Sequence, residues 1–253
     1  MSDMQVQNAG VTAPGLTQIQ RVTNTFAAPS KTFEDIKRGN KSWWLPFVIM
    51  ALVGYILFAA VATKIGIPTV VDNQIRLDPK AEERLAQVPP EQRETQMKVS
   101  LYITEGIFIA SPAFLLATGA IVSLVLWGTI NFAFGGKATF GDVFAVWMFA
   151  YLPSIVKTLL GVVVIYAGAT PETFNIKNFA PTNIAAFLNP LETNKALYAL
   201  AGWIDVVTIW YMLLMGIGLA MVAGVKRNSG YIAVFGWWAI LMLISVGFAA
   251  AMG

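Results

Sequence analysis

Four polar side chains lie in or beside long apolar stretches of this sequence, where they could take part in chemistry. Asp142, Ser154 and Lys157 fall within the stretch 141–160, and Asp205 stands at the head of a later one. A charge inside a bilayer is costly and usually marks an ion pair, a solute pathway or a proton relay. Histidine and cysteine are absent, which excludes imidazole bases, thiolate nucleophiles, disulfides and the usual zinc, copper and haem sites. We therefore expect no cofactor and no metal.

Carboxylates and a Ser–Lys dyad are the catalytic groups that this composition still allows. Ser154 and Lys157 are three residues apart, so on a helix they could form a catalytic dyad. Intramembrane aspartyl proteases need Gly-x-Gly-Asp and Tyr-Asp motifs, but residues 139–142 read T-F-G-D and residues 203–205 read W-I-D. Neither motif fits, and Asp142 is interpreted as a cap of its own helix. We predict no catalytic residue and no enzymatic activity.

Lys157 and Asp205 are the two charges that could meet inside the membrane. Each lies eight or nine residues from the same end of its predicted span, roughly 12 to 14 Å deep at 1.5 Å per residue. The main hypothesis is a buried ion pair. The alternatives are that Lys157 extends along its own helix to the headgroups, or that the two residues serve transport or proton transfer.

Small residues recur every four positions in the fourth apolar stretch, at Gly216, Ala220 and Gly224. Such a ridge lets another helix approach closely. We predict a helix-packing ridge here, used either within the chain or as the seam of a homodimer.

The composition predicts an integral membrane protein. The 253 residues are 57% hydrophobic and only 12% charged, and the mean hydropathy is +0.64. Soluble domains average about 25% charged residues. The lipid bilayer is therefore the predicted partner. No run of basic and aromatic residues suits a nucleic acid, so no nucleic-acid partner is predicted.

The apolar stretches predict an all-α bundle of five transmembrane helices. Each stretch approaches or exceeds the roughly 20 residues that a bilayer core requires. The predicted spans are 43–63, 108–134, 140–167, 197–225 and 231–252. A long polar connection, 64–107, is predicted to be external and helical, with helices beginning at Pro79 and Pro90. Ser111-Pro112 is predicted either to kink the helix that leads into the second span or to mark the place where this helix enters the bilayer.

The N-terminal region is predicted to lie outside the spans. Residues 1–15 are polar and predicted to be a disordered tail. Residues 16–42 contain apolar residues at helical spacing and are predicted to form cytosolic amphipathic helices on the membrane surface. Trp43 and Trp44 follow, as aromatic rings do at the headgroup level.

Charge placement predicts the orientation. The segments on the N-terminal side of the membrane are net positive. Residues 1–42 contain five Lys or Arg against three acids, and the two short turns add Lys137, Lys226 and Arg227. The connections on the other side are balanced, six against six in the longer one. The positive-inside rule then places the N-terminus in the cytoplasm and the C-terminus outside.

Several motifs resemble the Yip-domain family of five-span membrane proteins. They are P-S-K-T-F-E-D-I at 29–36, W-W-L-P at 43–46, Tyr151-Leu152-Pro153 in the third span, and D-V-V-T-I-W-Y-M-L-L-M-G-I-G-L from Asp205 through Trp210 to Leu219. The resemblance extends from about Thr25 to the C-terminus. The Y-G-x-S-L-x-x-F-I-P motif of eukaryotic members aligns with 144–153 but departs at Phe144, Ala145 and Trp147, and their D-L-x-G-P motif is missing.

This resemblance is closer to bacterial members and implies a five-helix bundle in a bacterial cytoplasmic membrane. Eukaryotic members bind prenylated Rab GTPases and organise vesicle membranes, but the missing motifs do not support Rab-type binding here. We expect a membrane scaffold or adaptor that contacts itself as a homo-oligomer or another membrane protein. The alternative is a small transporter or channel that uses Lys157 and Asp205.

Overall fold

The computed structural model describes residues 15–252, and these residues are helical without a single β-strand. The predicted all-α class is confirmed. The predicted tail, apart from Gly15, lies outside the described residues. Within them the chain forms twelve α-helices: α1 Gln18–Ala27, α2 Pro29–Lys37, α3 Trp44–Ala60, α4 Ile67–Arg76, α5 Pro79–Ala86, α6 Pro90–Ile109, α7 Ser111–Phe132, α8 Phe140–Ala150, α9 Ser154–Tyr166, α10 Lys195–Trp203, α11 Val206–Ala223 and α12 Arg227–Met252.

Five helical segments of the described chain are long and apolar enough to cross a membrane, as predicted. They are Trp44–Ile65, Ser111–Phe132, Phe140–Tyr166, Val206–Ala223 and Arg227–Ala251. The protein is therefore an integral membrane protein. The bundle has two ends, the N-terminal face and the connector face. The N-terminal face carries α1, α2 and the turns at 133–139 and 224–226, and the connector face carries residues 66–110 and 167–205.

Prolines set the helix boundaries in the first long connection. Helices α5 and α6 begin at Pro79 and Pro90, as predicted, and Asp78 caps the first of them. The helix is interrupted at Ala110, one residue before α7 starts with Ser111 and Pro112. The second span therefore begins at Ser111 and not at residue 108, because a proline in the first turn fits a helix start better than a helix interior.

The third span is two helices and not the single helix predicted for 140–167. Tyr151, Leu152 and Pro153 form a turn between α8 and α9. Pro153 cannot donate the backbone hydrogen bond that a continuous helix needs, so the ladder is interrupted here. The break lies inside the bundle, since Leu152 is fully buried.

The fourth span is shorter than the predicted 197–225. Helix α10 ends at Trp203. Ile204 leaves the helical conformation, Asp205 is extended, and α11 begins at Val206. Asp205 accepts hydrogen bonds from the first free N–H groups of α11 and so starts a new helix. The apolar residues of α10 belong to the connector face. Helix α12, which carries the fifth span, begins at Arg227, four residues before the predicted span.

Helix α8 forms the centre of the bundle. Every residue from Val143 to Ala150 is buried, and α8 packs against α7, α11 and α2. Gly119 of α7 leaves room for the Trp147 ring, because a Cβ at that glycine would overlap it.

The N-terminal helices dock against the bundle, while their predicted position at the membrane surface stays a prediction. Helix α2 packs against α11 and α8, and Phe33 and Ile36 are fully buried. Gly218 of α11 lies against Phe33, without space for a Cβ. Burial of these two side chains stabilises the docked position by about 1.5 to 3 kcal/mol each relative to exposure to water.

Gly216 and Ala220 of the predicted ridge pack within the chain. Gly216 lies against Tyr231, and Gly230 of α12 faces Gly216 and Ala220. Gly224 does not belong to the packing face. It adopts a left-handed φ of 70° and ends α11, a conformation that glycine reaches without strain.

Candidate functional site

Lys157 and Asp205 lie together in the structure. The distance between Lys157 Nζ and Asp205 Oδ2 is 2.8 Å, within the range of a charge-assisted hydrogen bond. The contact joins α9 to the start of α11. The side chain of Asp205 is 3% exposed and that of Lys157 is 27% exposed.

Both carboxylate oxygens of Asp205 are saturated by protein donors. The Oδ1 atom accepts the backbone N–H groups of Val207 at 2.9 Å and Thr208 at 3.0 Å. The Oδ2 atom accepts the Thr182 hydroxyl at 2.7 Å as well as the ammonium of Lys157. The residue is therefore the N-cap of α11 and an ion-pair partner at once.

The connector segment completes this arrangement. The Val206 N–H donates to the carbonyl of Thr182 at 3.0 Å, and the Ile184 N–H donates to the carbonyl of Ile204 at 3.4 Å. These bonds align the chain at 182–184 with the break before α11. The sequence reasoning placed Asp205 two turns inside a helix, whereas it stands at a helix start.

The Ser154–Lys157 dyad is not formed. The Ser154 hydroxyl lies 3.9 Å from the sulfur of Met50, while Lys157 turns to Asp205 and lies 5.9 Å from the centroid of the Phe179 ring. Without a base in hydrogen-bond reach, the serine is not activated as a nucleophile. Residues 15–252 also contain no group of three or more His, Cys, Asp or Glu side chains that could hold a metal ion.

Asp142 is the third residue of α8 and not its N-cap. Thr139 is the cap and receives the Asp142 N–H, while Asp142 Oδ2 accepts the Thr139 N–H at 2.9 Å. This reciprocal capping box is stabilising at a helix N-terminus. Lys41 adds an ion pair to Asp142 at 2.9 Å, and the sequence analysis did not identify that partner.

The family-motif residues form an aromatic cluster beside the break in the third span. Tyr151 stacks on Trp147, with 4.9 Å between ring centroids, and meets Tyr211 of α11 edge to face at 5.4 Å. Trp210 lies at the surface of α11, where it meets Phe26 of α1 edge to face at 5.7 Å. The motif residues thus connect α8, α11 and the N-terminal helices.

Sequence reasoning also missed a buried ion pair between Arg21 of α1 and Asp35 of α2. Both side chains are buried, and Arg21 Nε lies 3.7 Å from Asp35 Oδ2. The guanidinium also donates to the carbonyl of Asn40 at 2.8 Å and lies 4.9 Å from the centroid of the Phe149 ring. Burial lowers the pKa of Arg21 and the charge of Asp35 opposes that shift.

The sequence pattern around Arg21 favours the opposite expectation for this pair. Arg21 and Thr25 are one turn apart, and both are fully buried. Polar residues at that spacing normally define a solvated helix face. Here Thr25 and Thr32 both donate to the carbonyl of Arg21, so the polar face of α1 packs against α2.

Comparison with known families gives one match. The family model described as the Yip1 domain matches residues 23–249, which is most of the chain and includes α2 and all five spans. Comparison with curated proteins and with solved structures gives no match.

Proposed function

Because the chain belongs to the Yip1 domain family, we propose that it acts as a non-enzymatic membrane scaffold or adaptor in membrane organisation or trafficking. In this role the five spans fix the protein in the bilayer, and the N-terminal face contacts partner proteins or a second copy of the chain.

The saturation of Asp205 is the observation that carries this proposal. A carboxylate that serves a transported cation needs free oxygen lone pairs, but four protein donors already occupy the two oxygens of Asp205. The intramembrane charges therefore hold helices in register. They are not available as a binding site for a solute, which favours a structural role over the alternative of a transporter.

The docking of α2 supports an adaptor role at the N-terminal face. Its inner side is fixed by Phe33, Ile36 and the buried Asp35. Its outer side exposes the charged residues Lys31, Glu34 and Lys37, and the exposed Arg38 follows as its C-cap. A charged surface on a rigidly held helix needs little ordering when a partner binds, which lowers the entropic cost of association.

The orientation that follows from this proposal places α2 in the cytoplasm of a bacterial cell and the C-terminus outside. Exposed cations dominate the N-terminal face, since Lys137, Lys226 and Arg227 are exposed beside those of α2. Such an excess of cations is typical of the cytoplasmic side of a membrane protein.

Site-specific photocrosslinking in cells tests the adaptor role. We expect a crosslinker at position 31 to give a discrete adduct with a partner or a second copy. The double change of Lys37→Glu with Arg38→Glu should abolish this adduct, because it reverses the charge of the outer side of α2. The matched control places the crosslinker at position 82 or 84 of α5, on the connector face.

Adducts that survive the charge reversal, or that form equally from α5, would contradict the adaptor role. Solute flux through reconstituted liposomes that is lost in Asp205→Asn would favour the transporter instead.

A further inference from the structure

A cleft of about 550 Å³ lies on the connector face between α4, α10 and the irregular segment 168–194. Its size is within the 300 to 1,000 Å³ typical of small-molecule sites. Aromatic and aliphatic walls come from Val164, Phe174, Phe179 and Leu188. The polar groups of the lining are those of Arg76, Glu172, Thr173, Asn175, Asn178, Asn189 and Tyr198.

The side-chain oxygen of each of the three asparagines in the cleft already accepts a hydrogen bond. The backbone N–H groups of Lys177 and Leu191 donate to Asn175 Oδ1 and Asn189 Oδ1, both at 3.0 Å. Asn178 Oδ1 accepts the amide of Asn183 at 2.7 Å. The Nδ2 groups of Asn178 and Asn189 make no hydrogen bond within residues 15–252. A ligand with acceptor oxygens would use these donors.

The cleft also contains one cationic side chain, Arg76, and one anionic side chain, Glu172. Arg76 uses Nη2 to bond the carbonyl of Glu172 and the side chain of Asn73, and its other two nitrogens make no hydrogen bond to the described chain. The Glu172 carboxylate forms no ion pair within the same residues. A ligand that carries both a phosphate and an ammonium group matches this charge distribution.

The position of the cleft indicates where such a ligand comes from. Lys64 at the end of the first span lies 5.3 Å from the centroid of the Tyr166 ring at the end of the third. Cationic and aromatic side chains at span ends lie at the headgroup level of a bilayer. Val164, two residues before Tyr166, lines the cleft, so the cleft crosses that level.

We propose that this cleft binds the headgroup of a zwitterionic phospholipid. Arg76 and the asparagine amides bind the phosphate and ester oxygens, Glu172 binds the ammonium, and the apolar walls contact the upper part of the acyl chains. This proposal does not depend on the scaffold role, because it requires only that the protein is embedded in a membrane.

Native mass spectrometry of the full chain in detergent tests the site. The delipidated protein is titrated separately with palmitoyl-oleoyl phosphatidylethanolamine, with the phosphatidylglycerol of the same acyl chains, and with free phosphoethanolamine. We expect one phosphatidylethanolamine to bind about ten-fold more tightly than phosphatidylglycerol, which lacks the ammonium. Free phosphoethanolamine should bind more weakly than the lipid because it lacks the apolar part.

The variants separate the two charges. Glu172→Gln should weaken phosphatidylethanolamine binding about ten-fold and leave phosphatidylglycerol unchanged, whereas Arg76→Gln should weaken both about ten-fold. Lys80→Gln and Glu82→Gln in the exposed helix α5 are the matched controls and should bind like the wild type.

Asn189→Asp provides a test that preserves the fold. It keeps the oxygen that accepts the Leu191 N–H and replaces the free amide with a charge that repels phosphate, so both lipids should bind more weakly. Equal affinity of the wild type for both lipids, or unchanged binding by Arg76→Gln and Asn189→Asp, would overturn the proposal. Free phosphoethanolamine binding as tightly as the lipid would assign the cleft to a soluble zwitterion and would also overturn it.

Discussion

Two of the ion pairs of this protein, Arg21–Asp35 and Lys157–Asp205, occupy opposite settings. Arg21 and Asp35 belong to short helices outside the spans, yet their side chains are 0% and 5% exposed. Lys157 and Asp205 join two segments of the spanning bundle, yet Lys157 is 27% exposed. The more deeply buried pair is therefore in the more polar part of the sequence.

The two pairs also differ in how completely their groups are hydrogen-bonded. Asp205 receives four donors on its two oxygens. Arg21 donates from Nη1 to Asn40, but its Nε and Nη2 are buried without a hydrogen-bond partner. The attraction of Asp35 at 3.7 Å is thus the main compensation for burying those groups.

This contrast shows that hydropathy does not set burial in a membrane protein. Of the five spans, α12 is covered least by the rest of the protein. Only 11% of its apolar stretch is buried inside the protein, against 56% of that of α11. Apolar residues that face lipid need no protein contact, whereas the polar helices α1 and α2 fill a space between α8 and α11.

Removing Asp35 should have the largest effect on stability. We expect Asp35→Ala to lower the free energy of unfolding by about 3 to 5 kcal/mol, because Arg21 is left as a buried charge without its partner. The measurement is thermal or denaturant unfolding of the purified protein in detergent. Glu34→Ala is the control: its pair with Arg38 is more than half exposed, so it should cost less than about 0.5 kcal/mol. Similar losses in the two variants would contradict the difference between buried and exposed pairs.

Removing Asp205 should have the next largest effect. Asp205→Ala deletes the N-cap of α11 together with the contacts to Lys157 and Thr182, so we expect a loss of about 2 to 4 kcal/mol. Asp205→Asn retains an oxygen for the backbone N–H groups and should lose about half as much. If both substitutions cost the same, the cap contributes little and the charge dominates.

Much of the fold could be predicted because each feature depends on local sequence. Five apolar stretches gave five spans, and prolines marked the starts of α5, α6 and α7. The depth argument anticipated the contact of Lys157 with Asp205, although the two side chains meet at a helix start. Local capping chemistry also explains the start of α8, where Thr139 and Asp142 form a capping box.

The remaining features depend on tertiary packing that local patterns do not encode. The amphipathic patterns of α1 and α2 do not reveal which residues these helices contact, and only the space at Gly218 next to Phe33 of α2 fixes how they dock. The break before α11 depends on the Thr182 segment, which is 23 residues away from Asp205 in sequence. Likewise, the cleft on the connector face is formed by α4 and the segment 168–194, which are nearly 100 residues apart.

Removing Lys157 should have the smallest effect of the three, because Asp205 keeps its other three donors. We expect Lys157→Ala to cost about 1 kcal/mol, the upper range for an ion pair whose cation is not fully buried. In Lys157→Ala with Asp205→Ala, the loss should be smaller than the sum of the single losses by about 1 kcal/mol, as expected for residues in direct contact. Additive losses would mean that the 2.8 Å contact contributes no energy. Asp205 would then stabilise the bundle only as a helix cap, and the two ion pairs would differ in kind and not merely in degree.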